Sequence, residues 1–332
     1  MARECGYDVP LFGARLGIPT QTPGVGRSRT RPLREKTVTE KALTASPTTP
    51  LATTARLVAL DADGTLSLNG HIPDATVTAV QATVASGHHV VIATGRSLVG
   101  VASIVKRLGL RRGRVICSNG AVTACIVDSR LIVEDAVRFD AGRVLQRARD
   151  AIPDALLATE VLGKGYQVNA RFPDGLLNGR QQVVGRTPDL WAAPTTRAVV
   201  HAADVARLGR ELGWFDVTVT LGSTTEPGDW LDLTAPSLSK ASALERVRRR
   251  LRVAPEHTIA VGDGHNDLPM FEWAARAVAM GNAPAEVRCA AGEVCGSITE
   301  HGVVDVLRSI AGVRRSAPSA GSRPSRTLPP KQ

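Results

Sequence analysis

The sequence predicts an α/β fold: a doubly wound, mainly parallel sheet with a second, α+β domain inserted into it. Three observations predict it. From about residue 56 onward, short apolar runs alternate with stretches of helical period. Three of those runs are followed directly by polar, mostly glycine-containing clusters, at the strand ends where open α/β sheets bind their ligands. The stretch from about 122 to 235 differs in texture, carrying several strand-like runs but none of these clusters.

Arg56–Leu60 reads as a buried strand ending at Asp61. Ile72–Ser86 reads as a helix, with Asp74 near its start and Gly87 just past its end. Val90–Ala93 is a second strand, Leu98–Leu108 a second helix and Val115–Cys117 a third, short strand. Further on, Ala241–Leu251 is helical, His257–Val261 is a strand, a helix begins over Asp267–Ala274, and Ala277–Met280 is a last strand. Within 122–235 the strand candidates are Leu131–Val133, Tyr166–Ala170, Ala198–His201, Val217–Leu221 and Trp230–Leu233. The expected organisation is a core domain at 56–121 and 236–312, an inserted domain at 122–235, and disordered tails at 1–55 and 313–332.

The formal net charge of +10 invites a nucleic-acid reading, but its distribution argues against one. Residues 1–55 carry a net +4 and residues 313–332 a net +5, which leaves the middle close to neutral. Only Tyr7 and Phe12 are aromatic in these tails, so stacking on bases has little support, and no specific nucleic-acid partner is expected. No run of 18 or more apolar residues occurs, so no membrane span is expected. Cys5, Cys117, Cys125, Cys289 and Cys295 are odd in number and form no C-x-x-C pair. That argues against a disulfide framework or a zinc site and suits a reducing cytoplasm.

Asp61-Ala62-Asp63-Gly64-Thr65 follows an apolar strand directly. Two acids two residues apart can both approach one ligand while the chain turns on Gly64. One carboxylate can attack phosphorus, and the other can move protons. An acidic loop binding a cation passively is the alternative. Thr94-Gly95-Arg96 ends another strand, where a hydroxyl and backbone N–H groups suit phosphate oxygens or, equally, a helix cap. Lys240 opens a helix, where it can neutralise a phosphate or a carboxylate, or simply be solvated. Gly262-Asp263-Gly264-His265-Asn266-Asp267 offers hard oxygen ligands that suit Mg2+, or else a polar turn. His265 is expected to stay outside the chemistry.

In this order the four signals resemble the motifs of the haloacid dehalogenase superfamily. Asp-x-Asp-Gly-Thr is matched in full at 61–65, and Gly-Asp-x-x-Asn-Asp in full at 262–267. Ser118-Asn119-Gly120-Ala121, Met280-Gly281-Asn282-Ala283 and Glu300-His301-Gly302-Val303 extend the resemblance to the Cof-type group, whose type IIB cap lies between the second and third motifs. The resemblance covers about 56–312; Ala62 stands where the group usually has a larger apolar residue. It implies a Mg2+-dependent phosphatase that hydrolyses a small phosphorylated metabolite, such as a sugar phosphate, through an aspartyl-phosphate. Asp61 would be the nucleophile and a metal ligand. Asp63 would be the general acid and base, lending its backbone carbonyl to the metal. Asp263 would be a direct ligand, and Asp267 a metal-site or lysine-orienting acid. Thr94, Gly95, Lys240 and Asn266 would hold the phosphoryl group, with Asn119 and Arg96 on the substrate side. A phosphomutase of the same superfamily and a non-catalytic phosphate-binding protein are the alternatives.

Overall fold

Every residue of Leu57–Leu60 is buried, and this strand (β1) anchors the larger of two sheets. The computed structural model describes residues 55–203, 205–222 and 230–312. The tails expected to be disordered fall outside the described residues apart from Ala55. Along the chain β1 is followed by α1 (Asp74–Ala85), β2 (His89–Ala93), α2 (Leu98–Leu108), β3 (Arg112–Cys117), β4 (Val122–Val127), β5 (Arg130–Ala136) and α3 (Gly142–Ala151). Then come β6 (Leu156–Val161), β7 (Gly165–Val168), β8 (Arg180–Val183), β9 (Ala198–His201), α4 (Val205–Leu212), β10 (Thr218–Gly222) and β11 (Trp230–Thr234). The chain closes with α5 (Lys240–Leu251), β12 (Thr258–Gly262), α6 (Leu268–Trp273), β13 (Arg276–Ala279), α7 (Ala285–Ala290), β14 (Glu293–Val294) and α8 (Gly302–Ala311).

The first sheet has eight strands in the order β14-β13-β12-β1-β2-β3-β4-β5. From β14 to β3 the neighbours run parallel; β4 and β5 are antiparallel additions. Successive side chains of a strand point to opposite faces, and both faces of this sheet are covered. Val58 and Leu60 pack with Val80 of α1, Val101 and Ile104 of α2 and Leu307 of α8. Leu57 and Ala59 pack with Leu244 and Val247 of α5 and Phe271 of α6. This is the doubly wound sheet that the alternating pattern predicts.

The boundary expected between 121 and 122 needs correction. Residues 122–136 form β4 and β5, which pair onto β3 and extend the first sheet instead of joining the second. Leu131–Val133 was expected inside the inserted domain; an alternating strand pattern does not say which sheet will take the strand. Asp135, at the end of this hairpin, meets Arg246 of α5 at 3.2 Å.

The second sheet has the order β10-β11-β9-β6-β7-β8, antiparallel except for the β7–β8 pair. Leu157, Val200, Leu231 and Leu233 pack with Leu145 of α3 and Leu208 of α4. The opposite face carries Ala158, Tyr166 and Val199 in an apolar cluster with Phe172 and Leu177. The polar residues Glu160, Arg197 and Asp232 are also buried. The two sheets belong to one compact unit.

Candidate active site

Parallel register brings the motif loops to one edge. Leu60 is level with Ile92 of β2 and Val261 of β12, so Asp61, Thr94 and Asp263 leave adjacent strand ends. The Asp61 N–H donates to Val261 O at 2.9 Å, continuing the ladder one residue past the strand. Gly64 then turns at φ +81°, and a Cβ there would lie 1.9 Å from Asp263 Oδ2. Only glycine lets the two acidic loops approach this closely.

Lys240 is the first residue of α5, whose N-cap Ser239 accepts from the Ser242 N–H at 3.1 Å. The ammonium is fully buried, 2.5 Å from Asp61 Oδ1 and 2.6 Å from Asp267 Oδ1. The other Asp267 oxygen accepts the N–H groups of Asp263 and Gly264, each at 2.9 Å. Asp267 thus ties the lysine to the acidic loop. Thr65 Oγ1 donates to Asp263 Oδ1 at 2.8 Å. Asn282 Nδ2 donates to Gly64 O at 3.0 Å and to Asp263 Oδ2 at 3.3 Å.

Asp63 sits at the mouth, with 54% of its side chain exposed, held by two hydrogen bonds from Arg96 at 2.7 and 2.5 Å. Arg96, expected on the substrate side, thus grips the second acid. Buried Thr94 Oγ1 accepts the Arg96 N–H at 3.1 Å, which leaves its hydroxyl proton to be donated elsewhere. Asn119 Oδ1 lies against Gly95 and accepts from Asn266 Nδ2 at 3.1 Å. His265 is exposed and pairs with Glu286 at 2.8 Å, consistent with a place outside the chemistry.

Carboxylate oxygens of Asp61, Asp263 and Asp267 lie within 4.8 Å of one another, a donor set that fits a divalent cation. Their proton affinities point the same way. Burial pushes the Asp61 carboxyl well up; Lys240 pulls it back, and Asp267 and Asp263 push it further up. Burial lifts Asp263 to about 6, opposed by the Thr65 hydrogen bond and helped by the charge of Asp267. Crowded acids that resist ionisation are relieved by a cation. The Asp63 carboxylate is engaged by Arg96 and is not part of this cluster, so of this residue only the backbone carbonyl remains a candidate ligand.

Raised carboxyls hold protons in the folded state that the unfolded chain has already released. Stability of the metal-free protein therefore falls as pH rises from the ordinary carboxylate range through about 6. Calorimetry at about pH 5 and about pH 8 should show a larger rise in melting temperature on adding Mg2+ at the higher pH. An equal rise at both would mean that these acids do not hold the ion.

Thr65, Asn282 and the buried residues of the second sheet had no predicted role. The Asn282 segment was visible as a motif, whereas its bridge between two loops depends on folding. Among the described residues, no helix is long and apolar enough to cross a membrane.

Comparison with known proteins agrees with this geometry. A family model described as haloacid dehalogenase-like hydrolase matches residues 58–144 and 215–307, more than half of the chain. Phosphatase YwpJ of Bacillus subtilis is 28% identical, with 77% of this chain and 99% of that protein covered. The 5-amino-6-(5-phospho-D-ribitylamino)uracil phosphatase YcsE of the same organism is 26% identical over 76% of this chain and 94% of its own length. Among solved structures, the phosphatase BT1666 of Bacteroides thetaiotaomicron superposes with a TM-score of 0.64 at 24% identity, covering 81% of this chain and all of that one. The matched segments contain Asp61, Asp63, Thr94, Lys240, Asp263 and Asp267, the residues that converge on the one strand edge, and the chain belongs to the haloacid dehalogenase-like hydrolase family.

Proposed function

We propose that this chain hydrolyses a small phosphomonoester, a sugar phosphate or related metabolite, in a Mg2+-dependent reaction that passes through an aspartyl-phosphate on Asp61. As a Cof-type member of its family, the enzyme is a phosphoric monoester hydrolase. The observation that carries the mechanism is the buried Lys240 clamp. It holds one Asp61 oxygen at 2.5 Å and favours the ionised carboxylate that burial disfavours, keeping a nucleophile ready.

Asp61 attacks phosphorus, the ester P–O bond breaks, and Asp63, once it has left Arg96 and taken up a proton from solvent, gives that proton to the departing alkoxide. Asp63 then takes a proton from water as that water attacks the phosphoryl group on Asp61. The Asp61–phosphorus linkage opens, inorganic phosphate leaves and the carboxylate is restored. The Thr94 hydroxyl, the Gly95 N–H, Lys240 and Asn266 hold the equatorial oxygens. Asp61, Asp263 and the Asp63 backbone carbonyl would hold Mg2+, which when bound screens phosphate charge from the nucleophile.

The second sheet, with α3 and α4, serves as a cap that covers the leaving group and excludes water during transfer. The named substrate of YcsE is a phosphate on a polyol chain, which supports the substrate class proposed here.

Purified protein with Mg2+ should release inorganic phosphate from p-nitrophenyl phosphate and stop on chelation. Asp61→Asn should lower kcat by roughly ten-thousandfold or more. Activity that survives either treatment overturns the mechanism, and phosphoryl transfer to a sugar hydroxyl with no release of phosphate would favour a mutase.

A further inference from the structure

A chain of buried hydrogen bonds runs from the second sheet into the phosphate site. It starts at Arg197, just before β9, whose Nη1 donates to Tyr166 OH at 2.8 Å. Arg197 also grips Asp232 of β11, Nε and Nη2 both donating to Oδ1, the former at 2.7 Å. Asp232 Oδ2 accepts from Asn119 Nδ2 at 3.0 Å. Asn119 Oδ1 in turn accepts from Asn266 Nδ2, in the acidic loop at the end of β12. Arg197, Asp232 and Asn119 are all at least nine-tenths buried.

Asn119 reaches this position through unusual backbone. Ser118, Asn119 and Gly120 have φ of +49°, +52° and +105° in succession. Such runs cost energy and persist only where the surroundings enforce them. Here the Asn119 N–H donates to Thr94 O at 3.2 Å, and a Cβ on Gly120 would lie 2.2 Å from Ser239 O. The turn thus sets one amide between the Thr94 loop, the Asn266 loop and the second sheet.

An amide can face a partner with either end, and its rotation is the weak point of such a junction. An ionised carboxylate only accepts. Asp232 therefore requires Nδ2 on its side and so turns Oδ1 toward Asn266. Asn119 belongs to the first sheet's loops and Asp232 to the second sheet, so this orientation is imposed only while the two are together.

We propose that Asp232 is a positioning residue for phosphoryl transfer: clamped by Arg197, it fixes the Asn119 amide and through it Asn266, so that closure of the second sheet is converted into alignment of the phosphate-binding loops. This rests on the phosphatase reading above. A leaving group that keeps the second sheet from seating is then penalised in kcat, because Asn119 loses its orientation. The side chain itself touches neither the phosphate nor the metal site.

A double-mutant cycle on p-nitrophenyl phosphate hydrolysis tests this. Asp232→Asn should lower kcat at least about tenfold, the scale of a lost hydrogen bond to a charged group, and change KM less. In an Asn119→Ala background the same change should cost nothing further, because its route to the site is gone. Equal losses in both backgrounds overturn the proposal and leave Asp232 a structural residue. If Asp232→Asn does not fold, Arg197→Lys keeps the charge, gives up the two-pronged grip and should show the same non-additivity with a smaller loss.

Hydrogen-exchange mass spectrometry supplies a readout that needs no turnover. Asp232→Asn should speed exchange at residues 118–121 and 263–267 and leave α4 unchanged. Unchanged exchange in those two loops overturns the proposal even in a protein with no activity. Inactivity of the unmodified enzyme on every phosphomonoester would instead overturn the reading it rests on.

Discussion

Lys240→Met should lower stability by about 3–5 kcal/mol and abolish turnover, because it removes the one cation shared by two buried acids. Methionine fills much of the same space, so the loss reads charge rather than packing. Asp61 and Asp267 would then face each other with no counterion, in a site where Asp61 already resists ionisation. Protonating either acid relieves the penalty, so the stability gap to the unmodified protein should narrow as pH falls. Urea unfolding at about pH 7 and about pH 5, with catalytic assays alongside, measures both effects. A gap below about 1 kcal/mol that does not change with pH would show that the triad does not depend on the lysine's charge.

Asp63→Asn should lower kcat by about 10²–10⁴, the usual range for a lost general acid and base, and the substrate should decide which step fails. An alkyl phosphate needs a proton on its leaving oxygen, so its first step should collapse. A p-nitrophenolate leaves without one, so the variant should release a single burst of nitrophenol and then stall as the phosphorylated enzyme, with no base to activate water. Rapid-quench kinetics and intact-protein mass separate these outcomes. Equal losses on both substrates without trapped phosphoenzyme would remove Asp63 from proton transfer and leave its Arg96 pair a purely structural contact.

The convergence of these polar residues on one strand edge was legible in the sequence, because strand ends announce themselves by a change from apolar to polar. Asp61, Thr94, Lys240 and Asp263 lie far apart in sequence, yet each stands at the start or end of an element whose apolar pattern is plain. The second sheet was less readable. Arg180–Val183 has three polar residues in four and joins the sheet by backbone pairing with β7, which leaves no periodic trace. Leu156–Val161 carries buried Glu160 among its apolar residues, a charge that a sequence reader assigns to solvent. Asp232 and Arg197 look like ordinary surface charges until strand register sets them side by side. Within the β4–β5 hairpin, Leu131–Val133 showed its strand character but neither its partner β4 nor its destination, since antiparallel addition to either sheet uses the same pattern.

The ion pair between Asp135 and Arg246 has an evolutionary corollary. One partner stands just before the chain departs for the second sheet, and the other soon after it returns. The excursion of about a hundred residues therefore begins and ends at neighbouring points on the core, the geometry that makes insertions easy to tolerate. A segment attached in this way is a cassette: it can lengthen, shorten or be exchanged without asking the first sheet to re-thread.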